Sequence, residues 1–263
     1  MKSLFVLILI LSLSLNSLYA GWIISMQYDH YGIKETRTYT IASNYLKISD
    51  GHFDFIYDGE SKQIRIVNHS IKAFYMGSFE DYKTDLRMLM DIDSESADRV
   101  LPQSWFYSFG QLLLSRIAEN RVEQRQTAAA IKVRNTGNSR SIAMEDAREY
   151  EVYLDTVLME RIWLAREVNL RNEIDFIGSL NFFRGIEGSV LAKANQLDVS
   201  AFEQLAFQGF PMKIVQLDNL GMESYTEECL MVQKQDIDIE RTFFPSSGYA
   251  QRTLVDIITA EKK

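Results

Sequence analysis

The residues of this chain that could do chemistry are few and scattered. Its histidines are His30, His52 and His69, each beside an acid or an amide, as Asp29-His30, His52-Phe53-Asp54 and Asn68-His69. A metal centre needs several such groups to converge, and no pair stands at a recognised ligand spacing. They read as turn or surface histidines, and no metal is expected. Asp54, Asp58 and Glu60 could serve acid–base chemistry, but carboxylates flanking Asp-Gly turns usually set turn geometry and solubility. The one cysteine, Cys229, rules out an internal disulfide. It follows Glu227-Glu228, and neighbouring carboxylates raise a thiol pKa, so it reads as an inert packing residue. There is no Gly-x-Ser-x-Gly elbow and no glycine-rich phosphate loop. Ser246-Ser247-Gly248 follows Pro245 and reads as a turn. These patterns give no catalytic residue, no metal and no cofactor, and the protein reads as non-enzymatic.

The elements that would hold a site are clearer than the site. From Asn44 to Gly77 apolar residues alternate: Leu46 and Ile48, then Phe53, Phe55 and Tyr57, then Ile64 and Ile66. That is the period of a half-buried strand. Asp50-Gly51 and Asp58-Gly59 supply turn residues between the runs. The stretch reads as an antiparallel meander with one apolar face and one wet face. Before it, Trp22, Ile24, Met26 and Tyr28 alternate in a first strand. Lys34 to Ile41 reads as a wetter strand suited to a sheet edge.

Ser78, with Asp81 three residues on, marks a helix start, and Tyr82, Leu86, Leu89 and Met90 follow at helical spacing. Pro102 opens a second helix. Its Trp105, Phe106, Phe109, Leu112, Leu113 and Ile117 form one apolar stripe. Strands resume at Ala129, with a turn at Gly137-Asn138-Ser139, and a hairpin from Tyr150 to Ala165 turns near Asp155-Thr156. Asn169 to Gly185 and Val199 to Phe207 read as helices. Phe210 to Leu217, Met222 to Lys234 and a short piece near Ile237 close the sheet, and Leu254 to Glu261 could form a last helix.

The element order is strands, helices, strands, helices, strands, which disfavours a parallel doubly wound sheet. The chain reads as mainly β with α (α+β): one curved antiparallel sheet of about eleven strands, a half-barrel, with helices covering its concave face. A sheet that wide must curl. The expected division is a signal peptide over 1–20, a single domain over 21–255 and a C-terminal tail over 256–263.

The signal peptide rests on Lys2, the apolar run Leu4 to Leu15 and a cleavage site at Leu18-Tyr19-Ala20. The run is shorter than the roughly 20 residues needed to span a bilayer. No second stretch reaches that length, so no membrane span is expected after cleavage, and the mature protein should be periplasmic or secreted. With 263 residues, 46% hydrophobic and 12% aromatic, the chain can build a large core. Its formal charge is −8; cleavage would remove only Lys2 from 28 basic residues, leaving 27 against 36 acidic and a charge of −9. That sign disfavours nucleic acid and anionic membranes as partners.

Two blocks carry a family resemblance. Asn44, Leu46, Ile48, Asp50, Gly51, Ile56, Tyr57, Asp58, Ile66, Asn68, His69, Lys72 and Tyr75 match one pattern. Lys132, Val133, Thr136, Gly137, Ile142, Ala143, Tyr150, Val152 and Trp163 match a second, although Met144, Glu145 and Ala147 stand where Gly, Tyr and Cys are usual. On these residues the chain resembles an uncharacterised family of exported bacterial proteins. The resemblance implies an eleven-stranded half-barrel similar to the periplasmic lipoprotein carriers, whose concave face takes up acyl chains. No reaction is attached to that family.

The expected function is therefore to hold an apolar ligand, a lipid or lipoprotein acyl chain, between sheet and helices. The expected lining is Phe53, Phe55, Tyr57, Ile66, Trp105, Phe109, Leu113 and Phe183. The Trp105 stripe fits either a helix packed permanently on the sheet or a lid that moves aside. The alternative is an envelope protein-interaction or structural module, with an envelope protein rather than a lipid as its partner.

Overall fold

A computed structural model describes residues 18–30, 32–92, 131–175, 205, 208–218 and 220–260. The strands are β1 (Leu18–His30), β2 (Ile33–Ala42), β3 (Tyr45–Ser49), β4 (Phe53–Asp58), β5 (Gln63–Asn68), β6 (Ala73–Ser78), β7 (Ile131–Ile142), β8 (Glu145–Leu154), β9 (Val157–Ala165), β10 (Phe210–Leu217), β11 (Glu223–Asp238) and β12 (Ala250–Gln251). Among the described residues the helices are α1 (Phe79–Ile92), α2 (Ile239–Phe243) and α3 (Leu254–Thr259).

The strands form one open, curved sheet in the order β12-β6-β5-β4-β3-β2-β1-β11-β10-β9-β8-β7. All pairings are antiparallel except that of the two-residue β12 with β6. This is the wide curved sheet expected from the alternation, with β12 added at one end. β2 is not an edge. It lies between β1 and β3, and its second half, Tyr39 to Ala42, is buried. Its charged first half suggested an edge because charge pattern reports local wetness, not strand order. Gly137 does not turn the chain either. β7 runs on to Ile142 with a bulge between Asn135 and Ser139, and the hairpin turns at Ala143-Met144, both at positive φ. The hairpin of β8 and β9 turns at Asp155, at φ 55°.

The centre of the meander, β4 and β5, is buried on both faces, not one, while β3 and β6 keep a wetter side. All six residues of β4 are buried, and five of the six in β5. Phe53, Phe55, Tyr57, Ile64 and Ile66 share a cluster with Tyr82, Leu86 and Leu89 of α1 and Leu254, Ile257 and Ile258 of α3. The opposite face, through Ile56 and Val67, packs with Phe243, Ile239, Phe244 and Tyr249. A third cluster joins Tyr150, Val152, Ile162, Leu164, Leu205 and Ile214.

The C-terminal segment thus clasps one end of the sheet. α2 lies on one face, β12 pairs along β6, and α3 lies on the other face. Ala250 N donates to Lys72 O at 3.0 Å and Arg252 N to Phe74 O at 2.9 Å. The clasp covers an edge that would otherwise present unpaired backbone groups. α3 is capped by Thr253, whose Oγ1 accepts from Asp256 N at 3.2 Å. The expected tail boundary at residue 256 falls inside this helix, where Ile257 and Ile258 are buried.

The opening residue of the meander, Asn44, ties three segments together. Its N donates to Glu173 O at 2.6 Å, its O accepts from Gly59 N at 2.8 Å, and its Oδ1 accepts from Asp175 N at 3.0 Å. Residues Asn169 to Asp175, expected to begin a helix, form a single turn, in which Glu173 N and Ile174 N donate to Leu170 O, within irregular chain. The rest of that helix and all of the Pro102 helix lie outside the described residues.

Asn68 is fully buried, and its Nδ2 donates to Ile257 O at 3.0 Å, anchoring α3 to β5. Its Oδ1 accepts from Ser70 N and Ile71 N in the following turn. Asn68→Leu should lower stability by about 1–3 kcal/mol, because a buried carbonyl and two turn amides lose a partner. Chemical denaturation measures the loss. An unchanged midpoint would mean that α3 is not held through this bond.

Candidate functional site

Of the expected lining residues, Phe53, Phe55, Tyr57 and Ile66 stand together on the face covered by α1 and α3. Register puts Phe55 opposite Ile66 and Ile48, and Tyr57 opposite Ile64 and Leu46. Their exposures are 9%, 6%, 0% and 1%, so the layer is closed over by the protein's own side chains. The Tyr82 ring meets Phe55 edge-on at 6.2 Å and lies 6.3 Å from Tyr75. Lys62 Nζ donates to Tyr57 Oη at 3.2 Å. Trp105, Phe109, Leu113 and Phe183 lie outside the described residues.

The helix that places Tyr82 starts where the sequence indicated. Ser78 Oγ accepts from Asp81 N at 3.2 Å, and Ser78 N donates back to Asp81 Oδ2 at 3.1 Å. This is a reciprocal capping box with Asp in place of Glu. The Ser78 bonds hold the Asp81 carboxyl below its usual range. From that fixed start Tyr82, Leu86 and Leu89 fall on the buried side.

Sequence reasoning missed the polar end of the same face. Tyr28 and Tyr39 are buried within the same cluster as Phe55, and their hydroxyls are hydrogen-bonded to each other. The Arg37 guanidinium sits 4.7 Å from the Tyr28 ring centroid, and Tyr225 lies 6.2 Å from Tyr28. Glu227, directly opposite Tyr28 on β11, is 0% exposed, and its Oε2 accepts from Tyr225 Oη at 3.4 Å. Burial, then the Glu227 charge, pushes the Tyr28 hydroxyl well above its ordinary value. Burial works against the Arg37 charge, but its neighbours, with the Glu35 carboxylate at 3.1 Å, outweigh it and shift the guanidinium pKa upward. Alternation placed Tyr28 on the apolar face. Nothing local could say that β11 would bring Glu227 beside it.

Of the acid–base candidates, Asp54 and Asp58 have structural partners, and Asp50, a turn residue, is held in the same way as Asp58. Asp50 Oδ1 accepts from His52 N at 2.8 Å and Phe53 N at 2.7 Å, and Asp58 Oδ1 from Glu60 N and Ser61 N at 3.0 Å each. These bonds set turns. Asp54 was expected on a wet face. It is 3% exposed instead, with Oδ2 at 2.8 Å from Lys47 Nζ and 3.0 Å from His69 Nε2. His69 Nδ1 lies 2.8 Å from Tyr249 Oη, so the network joins the clasp to β3, β4 and the turn after β5. Among the described residues no three His, Cys, Asp or Glu side chains converge to hold a metal.

No protein-family model and no curated protein matches the chain. Solved structures are similar at low identity. A chain of the Pseudomonas aeruginosa MucA/MucB complex aligns with a TM-score of 0.40 and 10% identity over 87% of this chain; this chain spans only 56% of that one. An uncharacterized conserved protein from Thermus thermophilus aligns with a TM-score of 0.41 and 6% identity, over 90% of this chain and 93% of that one. A LolA-superfamily protein from Nitrosomonas europaea aligns with a TM-score of 0.23 and 7% identity, over 87% and 90%. At these scores nothing about activity follows from the likeness.

Cys229 is buried, and burial above all, with Glu227, Glu145 and Glu228 adding to it, pushes its thiol up to about 12. The folded protein should resist a thiol reagent at neutral pH and react fully once denatured. The folded pKa is raised, so the thiol's contribution to stability is complete below its ordinary value near 9.0 and is lost as pH climbs from there towards about 12. Urea midpoints of the wild type against Cys229→Ala, measured across that window, should converge as pH rises. Rapid labelling of the native protein would contradict the buried thiol.

Proposed function

We propose that the chain is an exported, non-enzymatic binding module whose helix-covered face takes up a lipid-class ligand, an acyl chain carrying a polar head. The observation that supports this is the composition of that face. The apolar layer of Phe53, Phe55, Tyr57 and Ile66 belongs to the same cluster as Tyr28 and Tyr39, beside which stands the charged Arg37. An apolar floor that ends in two hydroxyls, the Arg37 guanidinium paired with Glu35 at 3.1 Å and the buried Glu227 is complementary to an amphiphile with a polar head. Each methylene buried on the floor would add about 0.8 kcal/mol. In the closed arrangement Tyr82 and α3 occupy the floor, so uptake requires a cover to move. Trp105, Phe109, Leu113 and Phe183 are proposed as the opposing wall. The uncharacterised exported family, the signal peptide over residues 1–20 with cleavage after Ala20, and a periplasmic or secreted location belong to the same proposal.

A second reading, an envelope protein-interaction module, draws on a different observation. Ile33, at the start of β2, and Leu220 and Met222, in the turn joining β10 to β11, are 69%, 82% and 60% exposed. Exposed apolar tips fit a protein partner better than an enclosed lipid.

Native mass spectrometry of the exported protein, with displacement of a fluorescent fatty acid, distinguishes the two. Co-purified lipid and saturable fatty-acid binding are expected. Arg37→Met should weaken a fatty acid by roughly tenfold or more, the scale of a lost charged hydrogen bond, while leaving a head-less alkane unaffected. No lipid and no saturable binding, together with one discrete crosslinked envelope partner, would overturn the first reading in favour of the second.

A further inference from the structure

A cavity lies away from that face, at the outer end of the β8–β9 pair. It is a cleft of about 240 Å³. Its floor is Tyr150 and Leu164, which are 8% and 2% exposed and belong to the third apolar cluster. Its mouth carries Asp146, Arg148, Arg166 and Glu167, all exposed. Register explains the order. Arg148 stands opposite Leu164 and Ala147 opposite Ala165, so Asp146 and Arg166 fall one step further out, where the pair ends. The gradient therefore runs from apolar inside to doubly charged at the rim.

These charges are not neutralising one another. Among the described residues none of the four has an ion-pair partner, although both signs line one cleft. Here two guanidiniums and two carboxylates border a shared opening over an apolar floor.

We infer that this cleft binds a small zwitterion with an apolar side chain, the chemistry of a free apolar α-amino acid. Such a molecule carries both charges at one end and its apolar body at the other, which is the polarity of the cleft. Its carboxylate would meet Arg148 and Arg166, which can bind it through paired N–H donors. Its ammonium would meet Asp146 and Glu167, and its side chain would lie on Tyr150 and Leu164. The rim has two charges of each sign and so suits a ligand with no net charge. A fatty acid would leave the acidic side facing an anion, and a simple amine would leave both guanidiniums unmatched. The cleft is smaller than the roughly 300–1,000 Å³ typical of drug-sized ligands. That volume fits one amino acid and not a long acyl chain, so this site is independent of the lipid reading.

Titration calorimetry on the full chain tests the inference, with L-phenylalanine as probe and with hydrocinnamate and phenethylamine as analogues lacking one charge each. Saturable binding of L-phenylalanine is expected, at least about tenfold tighter than either analogue, a difference of 1.4 kcal/mol or more. Arg148→Gln should weaken phenylalanine and hydrocinnamate but not phenethylamine. Asp146→Asn should weaken phenylalanine and phenethylamine but not hydrocinnamate. Both substitutions are at exposed positions, and circular dichroism confirms that the variants are folded. No saturable binding at millimolar phenylalanine would overturn the inference. Equal binding of all three compounds, or a preference for a peptide over the free amino acid, would overturn it too.

Discussion

The constraint on which the structure depends is that a wide open sheet has two faces and two ends, and one chain must cover them. At the β4–β6 end this is done by α1 on one face and by the C-terminal clasp on the other face, along the edge and back over the first face. A strand such as β4 then has no wet side. Its polar residues must find partners inside, because an unpaired buried polar group costs about 1–3 kcal/mol. Asp54 finds Lys47 and His69, His69 finds Tyr249, and Arg65 lies with its guanidinium 4.4 Å from the Phe244 ring centroid. The Tyr45 and Phe243 rings stack at 5.1 Å on the same side. The polar contacts follow from coverage and need no reaction to explain them.

The same constraint separates the two candidate binding regions. Where helices cover the sheet, aromatic residues make a closed layer with a buried tyrosine–arginine end. At the opposite end the β8–β9 pair runs out, and the cleft there keeps its charges at the surface. The first is proposed for a long apolar body that must be enclosed, the second for a small zwitterion over an apolar floor. Both use strand register to set which side chains meet, and neither uses a catalytic motif.

Much of the fold was legible in the sequence because it rests on local rules. Alternation marks Phe53, Phe55 and Tyr57 as one face whatever lies above them. Ser78 with Asp81 caps a helix through atoms three residues apart. Asp50 and Asp58 shape their turns through the next amides in the chain. Phe53, Phe55, Tyr57 and Ile66 share one face because hairpin register follows from turn length.

What the sequence could not determine depended on distant segments. The second buried face of β4 exists because residues 239–249 return to it, and no pattern within the meander records that return. The central place of β2, the pairing of Tyr28 with Glu227, and the Asp54–His69–Tyr249 link each join residues far apart in the chain. So does the cleft, where Gln208 approaches β8 and β9. Alternation and caps are fixed by neighbours along the backbone, so sequence alone determines them. Strand order, the covering of faces and the company a charge keeps are fixed by which remote surfaces become neighbours, and only the tertiary structure decides that.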